Sequence, residues 1–337
     1  MDTYLEKVTA SVAEAKEKLR CIKGEDSLVF SVFSDLHTED VDHKYMKRLI
    51  LALGLITEEI DYDAVINLGD NFSMLGRDIH ITDDELKARF ERVLSAMYDV
   101  TKHPIINVNG NHDAIGTDFF KPDFWNGIVK GKYGNSFSVY GDEGSYYYID
   151  YETANTRLII LSLPHDSDIE SEMPTPLWAF GKSQLKWLKE TALNTHKDVI
   201  IVSHVPFYDK YTGDKNATLA VWTGKEEKTS YISALCGWIE DLDEAVAIID
   251  EFNSNSAKVV ACLSGHTHCD SFWLPHEEKC GTKNPLPCHQ IVTTATCFTE
   301  NIELEIGISI DIVVWTPSRR ELNIIRIGDG EDRKIFL

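Results

Sequence analysis

Five short apolar, β-branched runs in this chain each end in a cluster of Asp, Asn, His and Gly, and this repetition constrains the fold more than any other feature. The runs are residues 28–34 (LVFSVFS), 64–68 (AVINL), 104–108 (PIINV), 198–203 (DVIIVS) and 258–264 (KVVACLS). The clusters that follow them are Asp35-Leu36-His37, Gly69-Asp70-Asn71, Gly110-Asn111-His112-Asp113, Ser203-His204 and Gly265-His266-Thr267-His268. Apolar runs of this length between helical stretches read as buried strands, and strands alternating with helices predict an α/β fold. The spacing places helices over residues 42–60, 83–100, 182–193 and 232–252, the last interrupted near Gly237. Further strands are expected at 146–150, 157–163, 290–294, 306–315 and 321–327.

Open α/β sheets bind ligands in the crevice at the carboxyl ends of their strands, where these five clusters would fall. A buried strand that ends in a carboxylate or imidazole without a partner costs about 1–3 kcal/mol, and a metal ion supplies the partner. Carboxylate oxygen, amide oxygen and imidazole nitrogen together suit Mn, Fe or Zn better than Ca, which prefers oxygen alone. In Asp35-x-His37 the i, i+2 spacing puts both side chains on one side of an extended segment, and His266-x-His268 repeats it. Asp70, flanked by Gly69, is suited to bridge two ions with its two oxygens, and the glycines let the backbone approach closely.

The ordered set D-x-H, G-D, G-N-H-D, H and G-H-x-H, running from Asp35 to His268, resembles that of the calcineurin-like metallophosphoesterases. Each block alone is weak; five in order are specific. The resemblance implies a four-layer α/β/β/α sandwich of two mixed β-sheets flanked by helices, here spanning residues 25–337 behind an N-terminal helical extension at 1–24. It implies two divalent ions. Asp35, His37, Asp70 and His268 would hold the first, and Asp70, Asn111, His204 and His266 the second. His112 and Asp113 would be catalytic, His112 contacting the phosphate and protonating the leaving oxygen, Asp113 orienting it. Asp113 has an alternative as the N-cap of a following helix. The implied reaction is hydrolysis of a phosphomonoester or phosphodiester by a metal-bridging hydroxide, with ions about 3.5–4 Å apart. The expected substrate is a small phosphorylated compound, nucleotides among the candidates. A nuclease of the same superfamily, or a non-catalytic protein-binding scaffold, is the competing reading.

Two departures narrow the family. The first arginine after Gly69-Asp70 is Arg77, which does not match the GDxxDRG run of protein Ser/Thr phosphatases. His37 stands where purple acid phosphatases use tyrosine, so no iron–tyrosinate centre is expected.

Composition sharpens the exclusions. With 55 acidic against 33 basic residues the formal charge is −22, and the Lys and Arg are scattered, so no nucleic-acid partner is expected. Residues 1–20 read as a charged amphipathic helix with Tyr4, Leu5, Val8, Val12 and Leu19 on one side. No apolar signal or membrane span is visible, so a cytoplasmic address is the expectation. The seven cysteines form no CxxC pair and read as reduced structural thiols. Residues 164–180 and 207–229 are expected to be long surface loops at the rim of the site. Phe72, Tyr208, Tyr211 and Trp222 are candidates there for stacking on an organic leaving group, and His165 for lining a pocket.

Overall fold

The computed structural model describes residues 2–38, 41–71, 82–101, 103–110, 112–113, 138–141, 145–162, 179–207, 219–222, 227–230, 239, 241–268, 270–276, 286–296 and 306–337. Helix α1 (Asp2–Ile22) leads into an alternating series: β1 (Leu28–Phe33), α2 (Lys44–Glu59), β2 (Ala64–Asn67), α3 (Asp83–Thr101) and β3 (Ile105–Asn107). A second series follows with β4 (Val139–Tyr140), β5 (Tyr147–Tyr151), β6 (Thr156–Ile160), α4 (Lys182–Trp187), β7 (Asp198–Val202) and the hairpin β8 (Leu219–Trp222) to β9 (Glu227–Ser230). It ends with α5 (Leu242–Asn253), β10 (Val259–Ser264), β11 (Ser271–Trp273) and β12 (His289–Val292). The chain then closes with β13 (Ser309–Thr316), β14 (Glu321–Gly328) and β15 (Arg333–Phe336).

The strands form two mixed sheets. One has six strands in the order β15-β14-β13-β1-β2-β3, the other seven in the order β11-β12-β10-β7-β6-β5-β4. In the first, β1, β2 and β3 are parallel while β13 runs antiparallel to β1. In the second, β6, β7, β10 and β12 are parallel. Parallel neighbours require a crossover, and a helix covering the sheet is the usual solution. The five strands that carry the polar clusters are therefore parallel within their sheets, and each sheet gathers its clusters on one edge.

The period-two alternation of β7 shows how the layers meet. Ile200 and Val202 join the core shared by both sheets, while Val199 and Ile201 pack with Leu185, Leu188, Ala245 and Ile249 beneath the helical layer. On the opposite side α2 and α3 bury Met46, Leu49, Leu53, Phe90 and Leu94 against the first sheet. Helix α1 packs on β14 and α2 with Val8, Val12, Ala15 and Leu19 fully inside. The result is the expected α/β/β/α sandwich. Trp315 of β13 is the largest fully buried side chain among the described residues, and its indole N–H donates to Thr156 of the other sheet at 2.9 Å.

Differences from the sequence reading have local causes. Of the helix expected at 232–252, residues 232–238 and 240 lie outside the described residues; α5 covers Leu242–Asn253, and just before it the Asp241 carboxylate accepts the backbone N–H of Phe180 and Gly181 at 3.0 and 2.8 Å. Of the stretches 164–180 and 207–229, expected to be loop, residues 164–178, 208–218 and 223–226 lie outside the described residues; the described part of the second carries the hairpin β8–β9, which runs on to Ser230. The short strands β4, β11 and β15 lie at sheet edges, where two to four residues suffice for pairing but not for a readable pattern. The 182–193 helix ends in a π-helical turn, Leu188–Ala192. No described helix is long and apolar enough to cross a membrane.

Candidate metal centre

The backbone at the strand ends is strained in a way that singles out the site. Among the described residues, eight non-glycine residues have positive φ, and five of them are Asp35 (53°), His37 (47°), Asp70 (53°), His266 (72°) and His268 (53°). Left-handed conformations cost non-glycine residues about 1–3 kcal/mol each and persist only where surrounding contacts enforce them, most often at functional sites. This corrects the reason given for the D-x-H spacing: Asp35 and His37 do not lie on an extended segment. Their side chains converge because both residues are left-handed. The enforcing contacts continue the β1–β2 pairing past the strands: Asp35 N–H to Gly69 O at 2.9 Å, His37 N–H to Asp70 O at 3.0 Å and Thr38 N–H to Asn71 O at 2.7 Å.

Glycine is required where the turns touch. A Cβ on Gly110 would stand 2.1 Å from Asp70 Oδ1 and 2.3 Å from Asp70 N, and one on Gly265 would stand 1.8 Å from Ser34 Oγ. The D-x-H, G-D, G-N-H-D and G-H-x-H turns are thus in close contact, which brings together residues drawn from both sheets.

The side chains fall into two groups joined at Asp70. In the first, His268 Nε2 lies 3.3 Å and His37 Nε2 3.7 Å from Asp35 Oδ1, and the two Nε2 atoms are 3.0 Å apart. In the second, His204 Nε2 lies 3.2 Å from Asp70 Oδ2 and 3.2 Å from His266 Nδ1. Asp70 Oδ2 is also 3.8 Å from His37 Nε2, so a single oxygen faces both groups, while Oδ1 accepts the His112 backbone N–H at 2.7 Å. The sequence reading assigned bridging to both oxygens; the geometry points to Oδ2. Asn111 lies outside the described residues.

Asp35, Asp70 and His204 are almost fully buried, whereas the His112 side chain is 31% exposed. The His112 ring stands edge-on to His37, centroids 4.7 Å apart, with Nε2 3.9 Å from Asp70 Oδ2. The described geometry of Asp113 concerns the turns around it, not the His112 ring it was expected to orient: its contacts are with residues 70, 71 and 110. Its carboxylate accepts the backbone N–H of Asp70, Asn71 and Gly110 at 2.9, 2.9 and 3.0 Å, and the Asn71 side-chain amide at 3.3 Å. It clamps two of the site's turns together.

The charges interact strongly. Burial favours the neutral acid at Asp70, yet the adjacent His204 and His112 hold its pKa down to about 2. Asp35, equally buried, is held well below the usual carboxylate range by His268 and His37. Burial disfavours charge on His204, but the Asp70 carboxylate pushes its pKa up to about 9. Burial, reinforced by Asp70, pushes Asp113 up to about 7. Without a cation, a proton on His204 offsets the Asp70 carboxylate.

A cation fits these residues better than protons do. Asp35 Oδ2 accepts from Ser34 Oγ and from His266 N–H, but Asp35 Oδ1, facing His37 and His268, has no hydrogen-bond partner among the described residues. Two pairs of imidazole nitrogens approach to hydrogen-bond distance, and each pair is satisfied without an ion only if one member is protonated. Among the described residues, the sets Asp35/His37/His268, Asp70/His204/His266 and His37/Asp70/His112 each offer donor atoms within 4.8 Å of one another. Mixed carboxylate and imidazole donors of this kind hold divalent transition metals.

The supporting contacts were not legible in the sequence. His204 Nδ1 pairs with Leu68 O at 2.8 Å, fixing its ring. Thr294 Oγ1 donates to His268 O at 2.9 Å, and Thr296 Oγ1 donates to Ser34 O at 2.5 Å. Residues 293–296 thus brace turns from both sheets; the run of threonines after β12 was the available signal. Behind them, buried Asp311 is paired with Arg326 and Arg333 and accepts from Thr293. Of the remaining histidines, His43 caps α2 and His103 packs on Tyr62, while His289 is buried against Phe272. Cys21 is exposed and unbonded; Cys262 and Cys288 are buried free thiols 3.6 Å apart. Phe72, Tyr208, Tyr211, His165 and the side chain of Trp222 lie outside the described residues.

Comparison with known proteins agrees with this geometry. No curated protein sequence matches the chain. A dimetal phosphatase from Danio rerio superposes with a TM-score of 0.59 at 14% identity, covering 92% of this chain and 98% of that one. PhoD superposes with a TM-score of 0.51 at 12% identity, covering 92% and 68%. At such identities these likenesses establish the fold. The model of the calcineurin-like phosphoesterases matches residues 28–270, well over half of the chain and the whole span from Asp35 to His268, and the chain therefore belongs to that family.

Proposed function

We propose that this chain hydrolyses phosphoesters with the aid of two divalent cations, and that its substrate is a small phosphodiester. The observation that carries this reading is the pair of donor groups meeting at Asp70 Oδ2. Asp35, His37, Asp70 and His268 would hold one ion; Asp70, His204 and His266, with Asn111, the other. When bound, such a pair lowers the pKa of water and clamps phosphoryl oxygens for in-line attack.

The chain's own residues supply the rest. Asp35, Asp70, His204 and His266 are walled off from solvent, so their donor atoms are held in place before substrate arrives. His112 is the most exposed titratable group of the cluster, with its backbone fixed on Asp70 Oδ1 and its ring against His37. That placement suits it to contact the phosphate and to give its proton to the departing oxygen. Asp113 keeps the turn carrying His112 locked to the turn carrying Asp70. The formal charge of −22 supports a small substrate over a nucleic acid.

The test is hydrolysis of bis(p-nitrophenyl) phosphate, p-nitrophenyl phosphate and cyclic nucleotides with added Mn²⁺, Fe²⁺ or Zn²⁺. Turnover of the diesters above that of the monoester is expected. Monoester turnover alone would overturn the diester assignment, and no hydrolysis with any metal would favour the scaffold reading.

A further inference from the structure

Asn67 and Asn107, the last residues of β2 and β3, face each other in register, and both are buried. Side-chain amides are out of place at the buried ends of two parallel strands whose preceding positions are Val and Ile, because each amide group must recover the hydrogen bonds it made to water. Asn67 uses both of its donors and its oxygen. Its Oδ1 accepts the Gly69 N–H at 3.1 Å, and its Nδ2 donates to Asn71 Oδ1 at 2.8 Å and to Asn107 Oδ1 at 3.2 Å. Asn71 passes the constraint on, donating its own Nδ2 to Asp113 at 3.3 Å. The Asn107 carbonyl in turn accepts the Tyr147 hydroxyl of the other sheet at 3.1 Å.

This amide circuit closes beneath one residue. Gly69 and Asn71 flank Asp70, and Asn67 grips both, one through the backbone and one through the side chain. Asp70 is held left-handed at φ 53°. A relaxation of a few tenths of an ångström there would turn Oδ2 toward one donor group and away from the other, since its present distances are 3.2 Å to His204 and 3.8 Å to His37. We propose that Asn67 is a positioning residue: its amide fixes the 69–71 turn so that Asp70 Oδ2 serves both cation positions and couples them. The proposal rests on the dinuclear reading above. It distinguishes Asn67 from Asn107, which touches the circuit without gripping the turn.

The test uses the full chain loaded with two equivalents of Mn²⁺ and read by electron paramagnetic resonance, with Mn²⁺ binding measured by titration. The wild type is expected to show an exchange-coupled pair. Asn67→Asp keeps the shape and the acceptor for Gly69 but removes both donated bonds. It is expected to weaken binding of the second Mn²⁺ by about 10–100-fold, the range for outer partners of metal ligands, and to replace the coupled spectrum with that of isolated ions. Asn107→Ala is expected to retain the coupled spectrum even where it lowers the melting temperature, which a purely structural role for the whole circuit would not allow. Should Asn67→Asp fail to fold, Asn67→Ser gives the same readout. A coupled spectrum and wild-type affinity in a folded Asn67 variant would overturn the positioning role. A wild type that binds no Mn²⁺ pair would instead overturn the dinuclear reading beneath it.

Discussion

Asp70→Asn is expected to lose Mn²⁺ at both positions and more than about 100-fold in turnover, beyond what loss of an outer partner costs. The substitution is close to isosteric, and the amide oxygen still accepts the His112 backbone N–H now bound by Oδ1 at 2.7 Å. What changes is the other atom. An NH₂ group would stand where Oδ2 lies 3.2 Å from His204 and 3.8 Å from His37, turning a shared acceptor into a donor. The negative charge that attracts both ions disappears with it. Asp70 is buried and its turn is clamped by Asp113, which would hold the amide in the place of the carboxylate. Metal content after gel filtration, measured beside activity on the best substrate of the panel, checks both halves of the expectation. A variant that keeps two ions and near wild-type turnover would show that Asp70 is not the shared ligand.

The second large effect falls on chemistry rather than on metal. His112→Ala is expected to lower kcat by about 10²–10⁴-fold, the usual contribution of a positioned general acid, while metal content stays that of the wild type. The separation follows from position: the His112 ring is the exposed edge of the cluster, packed on His37 and 3.9 Å from Asp70 Oδ2, whereas the other donors lie within. A proton donor matters most when the leaving oxygen is strongly basic. The loss should therefore be greater for an alkyl phosphodiester than for a p-nitrophenyl ester, and comparing the two kcat ratios checks this. Equal loss on both substrates would contradict proton donation and leave only a role in holding the phosphate.

The site was more legible than the architecture around it. Asp35, His37, Asp70, His112, His204, His266 and His268 stood out because short polar clusters after buried strands have few structural explanations, and the structure brings them together across two sheets. The long parallel strands were legible for the same reason. Residues buried on both faces leave uninterrupted apolar runs, as in β1, β7 and β10. The supporting residues were not, because their meaning lies in partners distant in sequence. Nothing near Asn67 announces that it reaches Asn107, forty positions on, and Thr296 braces Ser34 across 262 positions. Asp311 likewise reads as one more acidic residue until Arg326 and Arg333 are seen closing on it from the next two strands. Asp113 was recognised but under-described, since a carboxylate clamping backbone amides leaves no pattern in side-chain types. The left-handed backbone at five of the proposed ligands was also invisible, because positive φ at Asp and His has no sequence signature comparable to glycine's.

All of this converges on the claim that two cations share Asp70. Anomalous diffraction from crystals soaked in Mn²⁺ tests it most directly. The expected map has two peaks within about 4 Å of each other, one against Asp35, His37 and His268, the other against His204 and His266, with Asp70 Oδ2 between them. A single peak, or peaks away from Asp70, would contradict the account.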